Sequence, residues 1–128
     1  MIARDISEAA SYFVFYRLPE LCAGTKREPG TFPVQYLGAN VPQAWAAGSV
    51  FHLLQAILGL DADAHKKVLY VDPVLPHWLP DITLHNLRVG TSTVTLRFWT
   101  EKDATRYEVV DSKGELRAEQ RERVLASV

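Results

Sequence analysis

The stretch RLPELCAGTKREPGTFPVQYLGANVPQAWAAG, residues Arg17 to Gly48, decides how the chain is read. A glutamate, Glu20, stands between Pro19 and Leu21, where the preceding proline stiffens the backbone. From Pro19 to Pro42 the chain places seven of its fourteen Pro and Gly residues, so this span reads as a loop with turns. A loop of about 15 or more residues inside a compact domain is usually either functional or disordered. Phe32, Val34, Tyr36 and Leu37 supply apolar anchors, which favours an ordered, working loop.

Helical patterns flank the loop. Before it, DISEAASYFVFY (residues 5–16) repeats Ile6, Ala9, Ala10, Phe13 and Tyr16 at helical spacing, with Asp5 or Ser7 as cap. After it, PQAWAAGSVFHLLQAIL predicts a helix from Pro42 to Leu58, stopped by Gly59. Gln43, Ser49, His52 and Gln55 are its only polar side chains, too few for the polar face of an ordinary surface helix.

Downstream the pattern becomes β. VLYVDP is a short strand and VLPHWLPD a Pro-rich connection carrying Trp78. ITLHNLRV and TVTLRFW, joined at Gly90-Thr91, and RYEVVD follow as strands; Val94, Leu96 and Phe98 alternate with Thr95, Arg97 and Trp99. The expectation is an antiparallel meander with one face packed and the other wet. The tail ELRAEQRERVLASV fits either a last strand or a charged helix.

Composition narrows the function. The chain has 128 residues, 48% of them hydrophobic, which suits one globular domain or a piece of a larger one. A net charge of −1 without basic clusters leaves no electrostatic footprint for nucleic acid or an anionic membrane. No apolar run reaches the ~18 residues of a membrane span. Asp5 and Glu8 near the start argue against a signal peptide, so a cytoplasmic location is expected. Cys22 is the single cysteine, which excludes an intrachain disulfide and a cysteine zinc site. His52, His65, His77 and His85 lack metal-ligand spacing, and no metal or organic cofactor is expected.

The order of these pieces is more specific than any one of them. RLPEL, the Gly-rich loop, PQAWAAG, the apolar helix and LPHWLPDITLHNLRVGTSTVTLRF together resemble the C-terminal end of bacterial amylo-alpha-1,6-glucosidases, the glycogen-debranching type of six-hairpin glycosidase. The resemblance covers roughly residues 16–98. It implies an α+β fragment: the last helices of an (α/α)6 toroid followed by a small antiparallel β meander. Residues 1–62 would then be the helical portion, with the active-site loop at 17–42, and residues 63–128 a β appendage. A full toroid of twelve helices, at about 11–12 residues each plus loops, exceeds twice this length. The remaining hairpins, and the general acid they would carry, are absent from this stretch, so the chain alone is expected to be inactive; a companion chain that carries them, or self-association, are the partners left open.

By the same likeness Glu20 takes the position of the catalytic base. An inverting glycosidase needs one carboxylate to activate water and a second to protonate the leaving oxygen. No second carboxylate is identifiable from the sequence, and Glu8 and Glu28 read as solvated. Gln35 and Tyr36 on the loop, Gln43 at the helix start and Trp45 are the candidate substrate-binding residues, although a Trp in an apolar helix is more often core. Cys22 reads as a small buried residue with no base beside it. The implied substrate is a glycogen-like α-glucan or oligosaccharide with α-1,6 branch linkages. The alternative is a non-catalytic module that binds carbohydrate or docks on a partner, and the apolar helix predicts self-association or dependence on that partner. Two carboxylates facing one cleft would favour the enzyme, and one the module.

Overall fold

The computed structural model describes residues 2–13, 15, 17–24, 28, 30, 31 and 33–122. Their elements run α1 (Ile2–Tyr12), α2 (Ala44–Leu58), β1 (Asp61–Asp63), β2 (Val68–Val71), β3 (Asp81–Val89), β4 (Ser92–Glu101), β5 (Ala104–Lys113) and β6 (Arg117–Gln120). The chain divides into two compact units, Met1–Leu54 and Gln55–Val128, and the division falls within α2.

In the first unit α1 turns its apolar stripe inward. Ala9 is buried with Leu18 and Ala46, and Ile6, Ala10, Phe13 and Val50 pack against them. The helix ends at Tyr12, earlier than the expected Tyr16, and Phe15 has a left-handed backbone (φ 57°) that an α-helix cannot continue. Tyr16 itself lies outside the described residues, as does Phe32.

The long loop is a folded structure. Its two arms run antiparallel: Glu20 N–H donates to Asn40 O (2.9 Å), Ala23 N–H to Val34 O (2.7 Å) and Tyr36 N–H to Leu21 O (3.2 Å), with a bridge between Cys22 and Gln35. At its far end α1 holds Gly30, whose N–H donates to Glu8 Oε1 (2.7 Å) and whose carbonyl accepts from Tyr12 Oη (3.1 Å). Glu8 is therefore an anchor of the loop and not the solvated acid expected. At the near end Gln43 N–H donates to Leu18 O (3.1 Å), and Gln43 O accepts the first helical bond of α2 from Ala47 N–H (3.1 Å). Gln43 is thus the N-cap residue, and the helix begins at Ala44, two positions inside the expected start at Pro42.

In the second unit β4 is the central strand of the sheet β3-β4-β5. The expected alternation holds for Val94, Leu96 and Phe98, which are buried, and for Arg97, which is exposed, but Thr95, expected on the wet face, is buried as well. These three join Leu58, Leu69, Val71, Val89 and Leu116 in one core. On the wet face Arg97 forms a forked pair with Asp81 (Nη2 to Oδ2 2.7 Å, Nε to Oδ2 3.2 Å) and lies 5.4 Å from the Trp99 ring. Exposed pairs of this kind contribute about 0–1 kcal/mol, so the buried side holds the sheet together. A bulge between Leu84 and Leu87 puts Asn86 in a left-handed conformation (φ 54°), and its N–H donates to the buried Thr95 hydroxyl (3.2 Å).

The toroid expectation is overturned. The described residues form a small α+β protein of two helices and two three-stranded sheets, with no toroid helices. Nor is the β region a single meander. Only β3, β4 and β5 follow that path, while β2 sits between β1 and β6 in a second sheet. The tail forms β6, parallel to β2 in the register Val68↔Arg117 to Val71↔Gln120. A parallel pair needs a long crossover, and residues 72–116 supply it. The reason is burial: Leu69 and Val71 are almost fully enclosed, so β2 needs partners on both edges, and the short β1 covers only one.

Candidate functional site

Within the first unit, α1, the loop and the start of α2 enclose a cavity of about 570 Å³. That lies in the ~300–1,000 Å³ range of small-ligand sites. Ile6 and Ala9 of α1, Pro19 and Val34 of the loop, and Trp45 of α2 give it an apolar wall. Pro19, before the first loop arm, and Pro33, at the start of the second, are buried, so the backbone is stiff at both points.

Glu20 is half-buried and lines this cavity. Asn40 holds it: the Asn40 amide Nδ2 donates to Glu20 Oε2 at 3.0 Å, and the Asn40 backbone N–H reaches the same oxygen at 3.4 Å. The return bond from Glu20 N–H to Asn40 O closes a reciprocal pair across the two loop arms. Both side-chain bonds land on Oε2, which leaves Oε1 for a ligand or a water.

A second carboxylate lines the same cavity. Asp5 projects from α1, one turn before Ala9, and among the described residues neither acid is ion-paired. No Lys or Arg is among the described residues that line the cavity, and the charged side chains among them are the two acids. Asp5 reads in the sequence only as a possible helix cap. Its spacing from Ile6 and Ala9, the residues that form the α1 wall, is the signal that places it there. Nothing in the sequence marks Asn40 as the partner of Glu20, because their pairing depends on how the loop arms meet.

The other expected residues divide. Trp45 lines the cavity and is 60% exposed, so it is not the core residue that an apolar helix suggests. Gln35 is half-buried and takes part in the Cys22 bridge, Tyr36 is 61% exposed, and Gln43 caps α2; none of the three lines the cavity. Cys22 is exposed and lines the cavity, where burial was expected. Glu28 is exposed, as expected, and its carbonyl accepts two bonds from Thr31.

Among the described residues no group of His, Cys, Asp and Glu is arranged to hold a metal ion. No described helix is long and apolar enough to cross a membrane. In comparisons with known proteins, the chain matches no family model, no curated protein and no solved structure.

Proposed function

We propose that the chain belongs with the amylo-alpha-1,6-glucosidase type of glycoside hydrolase and that its cavity acts on α-1,6 branch linkages of glycogen-like glucans, in the cytoplasm. One observation carries this reading: two carboxylates, Glu20 and Asp5, line a single cavity of ligand size. A module that only binds sugar has no need of two unpaired acids, whereas glycoside hydrolysis requires a base and an acid.

The roles follow from how each acid is held. Glu20 accepts two hydrogen bonds from Asn40, which fix the orientation of its carboxylate. A water on Oε1 would lose its proton to Glu20 as it attacks the anomeric carbon. Asp5, on the α1 wall of the same cavity, takes the role of the acid that protonates the departing sugar oxygen. The C–O bond to that oxygen breaks as the bond to water forms. The proton taken by Glu20 and the one given by Asp5 balance over the cycle once solvent exchanges them. Pro19 and the paired loop arms keep Glu20 in place during the step.

The test is a titration of isomaltose into isotopically labelled protein, followed by NMR. Saturable shifts at Glu20, Asn40 and Trp45, with the second unit silent, are the expected result. No response to isomaltose or to panose would overturn the reading.

A further inference from the structure

The sheet β3-β4-β5 ends in two edge strands that differ in kind. The β3 edge is interrupted by the bulge between Leu84 and Leu87, a common obstacle to pairing with another strand. The β5 edge is regular from Ala104 to Val109. Its own irregularity comes later, at Val110, which is skipped between the pairs Leu96↔Val109 and Thr95↔Asp111. Among the described residues no strand pairs with the outer side of β5. Val109, opposite the buried Leu96 and on the same face, is left 46% exposed there.

The pairing with β4 fixes which groups β5 turns outward. Lys102 and Asp103 both have left-handed backbones, the tight hairpin turn that makes Glu101 and Ala104 a hydrogen-bonded pair. At the next pair Thr100 N–H donates away from β5, to Pro80 O (2.9 Å) on the β3 side. Its partner Thr105 therefore directs its own N–H and C=O to the free edge, and so, at every second residue, do Tyr107 and Val109. Arg106 and Glu108 direct their backbone groups to β4, and their side chains lie exposed on the wet face.

We propose that this edge joins a second copy of the chain, β5 against β5 and antiparallel, about a twofold axis at Tyr107. Outward positions then meet outward positions: Tyr107 faces Tyr107 of the second copy, and Thr105 faces Val109. In that register Arg106 stands directly opposite Glu108 of the second copy, and the symmetry repeats the pair. The neighbouring registers that keep the bonded positions matched set Arg106 against Arg106, or Glu108 against Glu108. Charge selects the register. Val109 gains cover from Thr105 of the second copy, and the two three-stranded sheets become one. The contact uses the same surface on both copies, so it closes at a dimer. It covers a short stretch of each chain, which makes that dimer weak and concentration-dependent. The surface lies wholly in the second unit and is independent of the function proposed above.

The test is amide hydrogen exchange, followed by NMR on the full chain in dilute and concentrated samples. Exchange at Thr105, Tyr107 and Val109 should slow about tenfold or more on concentration, while Arg106 and Glu108, already bonded to β4, should not change. Association through the exposed side chains of the first unit leaves the β5 amides unmoved, so the two are separable. Arg106→Glu and Glu108→Arg, each alone, bring like charges together and should weaken the dimer about tenfold or more, read from the concentration at which those amides become protected. The two substitutions combined restore opposite charges and should recover most of the affinity. Equal exchange at Thr105, Tyr107 and Val109 in both samples overturns the proposal. So does a double variant that dimerises no better than the single ones.

Discussion

Replacing Gly59 by alanine tests the junction where α2 stops and the chain turns towards β1. Gly59 has φ +63°, and the turn around it is tightly bonded. Leu60 N–H donates back to Gln55 O (3.1 Å), the pattern of a Schellman cap, and the Gln55 side-chain amide donates to Leu60 O (3.2 Å). A Cβ at position 59 would stand 2.5 Å from Asp72 O and 2.7 Å from Asp72 N and Cβ, closer than real contacts allow. The left-handed backbone costs a non-glycine residue about 1–2 kcal/mol. Relieving the clash must move the Asp72 backbone, which donates to Leu58 O at 3.1 Å, and losing that bond costs about 0.5–1.5 kcal/mol more. The expected destabilisation of the second unit is therefore about 1.5–3.5 kcal/mol. For a unit of this size that lowers its Tm by roughly 10–25 °C. The assay is urea unfolding followed on amide signals of β4, which report that unit alone. Gly48→Ala is the control: it lies in the first unit, with no neighbour within 4 Å, and should leave the β4 transition within about 0.5 kcal/mol of the parent. A Gly59→Ala protein within about 0.5 kcal/mol of the parent would refute the steric reasoning.

Three further outcomes are expected. Phe98 is fully buried at the centre of the second unit's core, so Phe98→Ala should cost about 3–5 kcal/mol in the same urea assay, and a loss below about 1 kcal/mol would mean the core is not as described. The Asp63 carboxyl is held below its ordinary value, first by the Lys66 backbone N–H (3.0 Å) and then by the Lys66 ammonium (3.1 Å). A lowered folded pKa gives stabilisation that is present above the unfolded value and lost as pH falls through the folded one. The NMR titration midpoint of Asp63 should thus lie below that of an unfolded chain. Lys66→Ala should restore only part of the difference, because the backbone donor stays; full restoration would assign the effect to the ammonium instead. Finally, Phe15, Leu37 and Phe51 are 79%, 103% and 74% exposed, an unusual load of apolar surface for a unit whose own core has three buried residues. Self-association in sedimentation, reduced by Phe51→Ser, is expected, and a strictly monomeric protein at high concentration would contradict it.

What the sequence made legible was local. Alternation along residues 93–99 placed β4 and its inward residues, because a central strand with one packed face imposes that pattern. Helical spacing located α1 and α2, and the Pro-bounded loop with its apolar anchors was expected to be ordered. What stayed hidden was long-range. The parallel pairing of Val68–Val71 with Arg117–Gln120 joins segments separated by the whole meander, and a tail of alternating charge carries no sign of its partner. The same limit applies at the site. Glu20 stood out beside Pro19, but its bond to Asn40 and its shared cavity with Asp5 arise from the closing of the loop arms. Trp45 shows the opposite failure: its apolar neighbours along α2 suggested core, yet two helices do not provide enough cover to bury it.

The central claim is that Glu20 activates water, and paired glutamine variants test it most directly. Glucose release from panose is followed by NMR, which also reports the anomer first formed. Glu20→Gln preserves shape and the bonds from Asn40 but removes the basic carboxylate. Its turnover should fall at least ~10²-fold while panose affinity changes little. Glu28→Gln, on the same loop but exposed, should match the parent, and the parent should release β-glucose first, as inversion requires. Ordinary turnover in Glu20→Gln, or loss of turnover only in Glu28→Gln, would contradict the account.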